Sequence, residues 1–225
     1  MDGTRIVVVA NGATDEIEAL AADLDAADPG APGVVTEVIR TSTRLGWASA
    51  LNCGIRRATA PVVICLDPSI EVKGDLPSVL AGAMEDPSVA VAGPWGLTSD
   101  DLRSFRAARA DALDVVAVEG VAVAFRRADY AVRGPLDEHF VDAASLDAWW
   151  SLVLRDRSED AGEEDRPRRA IQVGADLVVR HPRAHAGGPS PDDGERAARR
   201  NRYRLLKRFA TRRDLLVHAA PVETG

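Results

Sequence analysis

The chain has 225 residues, 46% of them hydrophobic and 28% charged, with a formal net charge of −7. That length suits one large domain with a full core, and the acidic balance argues against nucleic acid as the main partner. No apolar run approaches the roughly 20 residues of a membrane span.

Met1 to Arg5 leads straight into Ile6-Val7-Val8-Val9, a run too short for a cleaved leader. Cys53 and Cys65 are too few for a disulfide scaffold and lack zinc-ligand spacing. Both read as buried thiols in a reducing cytosol.

In chain order, Ile6–Ala10 reads as a strand and Asp15–Leu24 as a helix with Ile17, Leu20, Ala21 and Leu24 on one face. Residues 28–33 are a Pro- and Gly-rich loop. Val35–Ile39 is a strand and Trp47–Arg57 a helix. Gly46, Ala48, Ala50, Asn52 and Gly54 keep one side of that helix thin, so a backbone or a flat ligand can approach. Pro61 stops the helix, and Val62–Asp67 is a short apolar run of buried-strand type that ends on an acid. Asp75–Met84 is a helix and Val89–Gly93 a strand. This alternation predicts an α/β fold, a mostly parallel, doubly wound sheet flanked by helices. In such sheets ligands gather at the carboxyl ends of strands, which singles out Asp67.

The second half is less regular. Asp100–Asp111 is expected as a helix, Val115–Phe125 as a long strand, and Ala128–Arg133 as a short helix. Leu146–Leu154 is a helix carrying adjacent Trp149 and Trp150, which cannot share a face. Residues 158–169 form a charged loop, Ala170–Val179 a strand leading to Arg180 and His181, and Glu195–Phe209 an Arg-rich helix. One domain is expected over 1–213, with a partly ordered tail after it.

Several segments recur in a familiar order. They are Ala10-Asn11-Gly12-Ala13-Thr14-Asp15, then Gly46-Trp47-Ala48-Ser49-Ala50-Leu51-Asn52-Cys53-Gly54-Ile55, then Leu66-Asp67-Pro68-Ser69. Later come Gly120 to Arg127, Leu136-Asp137-Glu138-His139-Phe140, Leu146-Asp147-Ala148-Trp149-Trp150 and Val179-Arg180-His181. Over residues 6–185 the pattern resembles the family 2 glycosyltransferases, of GT-A fold, and the Ala-, Arg- and Asp-rich composition is similar to that of actinobacterial members. The chain departs from the family at Ala10, which replaces an acid, and at Ser69, which stands for the second acid of an Asp-x-Asp motif. It starts at what resembles the family's second strand, so either the protein is shortened or its start lies upstream.

The resemblance implies inverting transfer of a sugar from a nucleotide-sugar donor to an acceptor hydroxyl. The acceptor is a glycan, a lipid-linked molecule or a small molecule. The same resemblance places the protein in the cytoplasm, or peripherally at the membrane. It assigns Asn11, Asp15, Asn52, Asp67 and Arg180 to the donor, and Glu119, Gly120 and Trp149 to the acceptor. Asp67 and His181 would hold Mg²⁺ or Mn²⁺ against the leaving diphosphate. Arginines are alternative phosphate partners, although most of the run from Arg196 to Arg204 reads as a solvated face.

Asp147 is the candidate general base, in the first turn of a helix capped by Ser145, with Asp142 as the competing acid. His185 with Gly187-Gly188-Pro189 would form a lid. The reading requires Asp67 and Asp147 to converge on one groove. The other reading is a degenerate module that binds a nucleotide or a protein partner without chemistry.

Overall fold

A continuous β-branched run, Ile6 to Val9, builds β1 (Thr4–Asn11), which pairs in parallel with β2 (Val34–Thr41) around the crossover helix α1 (Asp15–Ala26). The computed structural model describes residues 4–12, 14–26, 34–157, 166–181 and 191–217. The loop expected at 28–33, most of the charged loop at 158–169, the lid around His185 and the last residues of the tail lie outside them.

Helix α2 (Trp47–Arg57) buries its thin side, with Ala48, Ala50 and Asn52 all enclosed. Gly54 approaches Val9 of β1 so closely that a Cβ would stand 3.2 Å from its methyl group. The small residues therefore serve backbone packing.

β3 (Val62–Leu66) and β4 (Ile70–Val72) follow. Then comes α3 (Leu76–Ala83), which Asp75 caps by accepting from the Ser78 N–H at 3.1 Å. β5 (Val89–Gly93) is buried throughout. The strands β6 (Gly96–Thr98), β7 (Arg106–Ala107), β8 (Asp114–Val115), β9 (Ala117–Val118) and β10 (Ala122–Arg126) lead into α4 (Arg127–Arg133) and α5 (Ala143–Arg155). β11 (Arg169–Gln172), β12 (Val178–Arg180) and α6 (Pro191–Phe209) complete the strands and α-helices of the described residues.

The central sheet has the order β3-β10-β5-β11-β8. Its helix-flanked α/β character is as expected, but its directions are mixed. β10 runs antiparallel between β3 and β5, and only β5 and β11 pair in parallel within it. An apolar run reports burial and not direction, which is why the sequence could not show this.

Period-two alternation splits the core. Val123 and Phe125 of β10 face α5, where Phe125 meets Trp150 edge-on at 5.6 Å. Ala122 and Ala124 face Leu76 and Leu80 of α3. No helix among the described residues is long and apolar enough to cross a membrane.

Three expected elements are replaced. Residues 100–111 are not a helix. The Asp101 carboxylate accepts from the Arg103 and Ser104 N–H groups at 2.8 and 3.1 Å, and buried Leu102 is turned to φ 58°. Side-chain acceptors here outcompete the helical ladder. The long strand at 115–125 divides into β8, β9 and β10. The strand expected at 170–179 breaks at Gly174, where φ is 78°, so that β12 leaves the central sheet and pairs with β4.

Candidate active site

Asp142 caps α5, accepting from the Ser145 N–H at 2.7 Å, so Ser145 is not the cap. The helix begins at Ala143, which moves Asp147 into the second turn, where the dipole at the helix end is weaker. Asp147 and Ser151 share one face of α5, four residues apart. The Ser151 hydroxyl accepts from the Val118 N–H at 3.1 Å and pins β9 against that face. The Asp147 carboxylate then lies directly over Gly120, where any Cβ would overlap it. Gly120 is thus required by close approach.

The facing wall comes from the β4–β12 pair. Residue by residue, Val179 meets Glu71 and Arg180 meets Ile70, and the His181 N–H continues to the Ser69 carbonyl at 2.7 Å. Arg180 pairs with Glu119, and its guanidinium sits 4.3 Å from the centre of the Trp95 ring. Glu119 is itself fixed by its N–H, which donates to the Trp95 carbonyl at 2.9 Å. His181 Nε2 lies 3.0 Å from Glu71. The Glu71 carboxyl is held below its ordinary range, first by its hydrogen bond to Lys73 and then by that to His181.

These walls enclose an open groove of about 650 Å³ lined by Glu119, Asp147, Arg180 and His181, with Leu97, Val121, Ala143 and Ala144 between them. Asp67 is buried at the end of β3, behind this lining. Its N–H donates to the carbonyl of Val121 at 2.8 Å, and its carboxylate accepts from the Ser69 N–H at 2.7 Å. Asp67 therefore does not line the groove with Asp147 as expected; buried at the strand end, it reaches the groove through its backbone bond to Val121, which does line it.

Other expected residues go elsewhere. Asn52 is fully buried, bonding Leu136 through both its N–H and carbonyl, as well as Glu138 and Tyr130. It locks α2 to the turn at 136–138 and has no face left for a donor. The Asn11 amide is closed on the backbone of Leu45, in bonds of 2.7 and 3.1 Å. Asp15 is exposed at the start of α1. Neither lines the groove. Trp149 points away from it and packs against Phe140, Phe209 and the Arg208 guanidinium on the α6 side. The α6 arginines gather there too, and not in the groove.

The profile described as Glycosyl transferase family 2 matches residues 2–136. The chain belongs to that family.

Its fold is similar to that in a crystal structure of GalNAc-T7 with UDP, GalNAc and Mn²⁺. The TM-score is 0.68 at 15% identity, covering 91% of this chain and 42% of that one. It is also similar to the mannosyltransferase PcManGT from Pyrobaculum calidifontis in complex with GDP-Man and Mn²⁺. There the TM-score is 0.57 at 20% identity, covering 90% and 52%. This family 2 chain thus spans about half the length of those proteins or less. Comparison with curated protein sequences gives no significant match.

The family match ends before α5, so Asp147, Arg180 and His181 of the groove lie outside the matched residues. Among the described residues of this family 2 chain, no three His, Cys, Asp or Glu side chains form a group that could hold a metal ion. The Ser69 N–H engages Asp67, Glu71 lies against His181, and the buried Ser69 hydroxyl makes no hydrogen bond. That donor set does not fit the expected metal pair of Asp67 and His181.

Trp95, the platform under Arg180, is a site residue that the sequence reading passes over. Its signal was an aromatic placed directly after the Gly93-Pro94 end of a buried strand.

Proposed function

We propose that this chain transfers a sugar from a nucleotide-diphosphate donor to an acceptor hydroxyl, with inversion, and that Asp147 is the general base. The observation that carries the proposal is the single groove that brings the Asp147 carboxylate and the Arg180 guanidinium together, with Gly120 leaving room for the carboxylate.

The acceptor hydroxyl gives its proton to Asp147 as its oxygen bonds to the anomeric carbon. The bond from that carbon to the diphosphate breaks on the opposite side. The negative charge left on the diphosphate is met by Arg180, whose fork suits phosphate oxygens. Glu119 and Trp95 hold that fork in place. Glu119 and Gly120 belong to the acceptor side in this scheme. Asp67 supports the donor side through Val121.

The Mn²⁺ in the two neighbouring structures supports the expectation of Mg²⁺ or Mn²⁺. The donor set here does not, so Arg180 carries the charge stabilisation. UDP- and GDP-linked sugars are the donors to try first. The acceptor is a glycan, a lipid-linked molecule or a small molecule, and the setting is the cytoplasm or the membrane periphery.

The test is turnover of a panel of nucleotide sugars, with and without Mn²⁺. Wild type should release nucleotide diphosphate. Asp147→Asn should lower transfer by roughly 10²–10⁴-fold with unchanged melting. A pure protein that neither hydrolyses nor transfers any donor would overturn the proposal. The Asp67-Pro68-Ser69 segment favours a second reading, a module that binds nucleotide without chemistry. Calorimetric binding of UDP or GDP without turnover would select it.

A further inference from the structure

Helix α6 is amphipathic in an unusual way. Asn201, Leu205 and Phe209 turn inward and are buried, and Asn201 donates to the Asp142 cap of α5 at 2.7 Å. From 196 to 208 every exposed residue except Tyr203 is Arg or Lys. Tyr203 is itself 68% exposed in the middle of this face. The chain as a whole carries −7, so this basic face runs against the charge of the protein that bears it.

Carboxylates touch only part of it. Glu195 meets Arg199, Asp137 meets Arg204, and Asp156 meets Arg208. Among the described residues, Arg202 and Lys207 have no acidic partner. Among the same residues, Arg200 reaches the Arg196 carbonyl, at 3.5 Å, and no acid.

We propose that this face docks on an anionic lipid bilayer. The span from 196 to 208 is about 18 Å along the helix axis, more than twice the roughly 8 Å screening length at physiological salt. One phosphate or diphosphate cannot answer charges so far apart, whereas a plane of lipid headgroups can. The helix cannot insert, because its apolar side is consumed by the core. The contact is therefore electrostatic, with Tyr203 at headgroup depth. Val141 is 51% exposed and stands next to the Asp142 that holds Asn201, adding an apolar contact close by. The acidic remainder of the chain is repelled by the same bilayer, which fixes the docking orientation. The inference does not depend on the catalytic proposal.

Flotation of the full chain with vesicles tests it. The protein should float with vesicles of two-thirds phosphatidylcholine and one-third phosphatidylglycerol, fail to float with pure phosphatidylcholine, and be released by high salt. The triple variant Arg200→Glu, Arg202→Glu, Lys207→Glu should bind the anionic vesicles on the order of a hundredfold more weakly. The corresponding Arg200→Lys, Arg202→Lys variant should bind as wild type does, because charge and not fork geometry is read. Equal binding to neutral vesicles, or no binding to anionic ones, would overturn the proposal whatever the variants do. Undiminished binding of a folded triple variant would also overturn it. Tighter binding to a short RNA than to the anionic vesicles would reassign the face to a soluble polyanion.

Discussion

Helix α5 separates two surfaces that treat charge in opposite ways. Toward β9 and β12, each charged group is held by a named neighbour. Arg180 lies on Glu119 and Trp95, His181 on Glu71, and Asp147 is seated over Gly120. Toward α6, cations accumulate with few acids, around Trp149. The first surface fixes a few groups to within hydrogen-bond tolerance, as chemistry on one bond requires. The second spreads like charge over a long face, as a broad, unspecific partner requires. The adjacent tryptophans mark the divide, since Trp150 is core and Trp149 faces the basic side.

Gly120→Ala should break the ordered side most severely. The new Cβ displaces the carboxylate, so transfer should fall by a factor approaching that of Asp147→Asn, roughly 10²-fold or more. Overpacking should also cost about 1–3 kcal/mol of stability. Steady-state rates and urea melts on the same sample separate the two effects.

Asn52→Ala should cost about 2 kcal/mol through the Leu136 groups left unpaired. It should lower the urea midpoint while leaving KM for the donor as it was, because Asn52 lies outside the groove. A donor role for Asn52 would appear instead as a raised KM. Ser151→Ala removes the hydroxyl that holds Val118 and should cost about 1 kcal/mol. Its loss in kcat should exceed its loss in KM if β9 positions Gly120.

Acid tests carboxylates that arginines hold outside the groove. Asp214 is held below its ordinary range, first by its hydrogen bond to Arg212, and Glu37 likewise by Arg57 and then Arg5. Carboxylates lowered in the fold contribute stability above their unfolded values, and that stability is lost as pH falls through the folded ones. The urea midpoint should therefore hold from neutrality to about pH 5 and decline below about pH 4. The smallest effect is chemical. Burial pushes the Cys65 thiol up to about 12, so alkylation of Cys65 in the native protein should be slow and should appear on unfolding.

Much of this was legible in the chain itself. Helix α2 at 47–57 and strand β5 at 89–93 lie at the expected residues because α2 carries a helical period that Pro61 stops and β5 is a short, wholly apolar run that Gly93-Pro94 ends. Asp147, Glu119, Gly120, Arg180 and His181 were also named from motif order, and they meet at one groove. Other assignments failed where side chains compete with the backbone. Asp101 unmade a helix, and Asp142 took the cap expected of Ser145. Asn52 and Trp149 carry the right motif letters, but their faces turn inward or toward α6.

Between Thr4 and Gly93, apart from the short β4, local pattern by itself determined which segments are strands and helices, because burial period and turn chemistry are properties of neighbours in sequence. Tertiary structure alone decided strand direction, the insertion of β10 between β3 and β5, and the pairing of β12 with β4 that carries Arg180 to Glu119. Those contacts join residues far apart in the chain, and their energies depend on a packing that no local window contains.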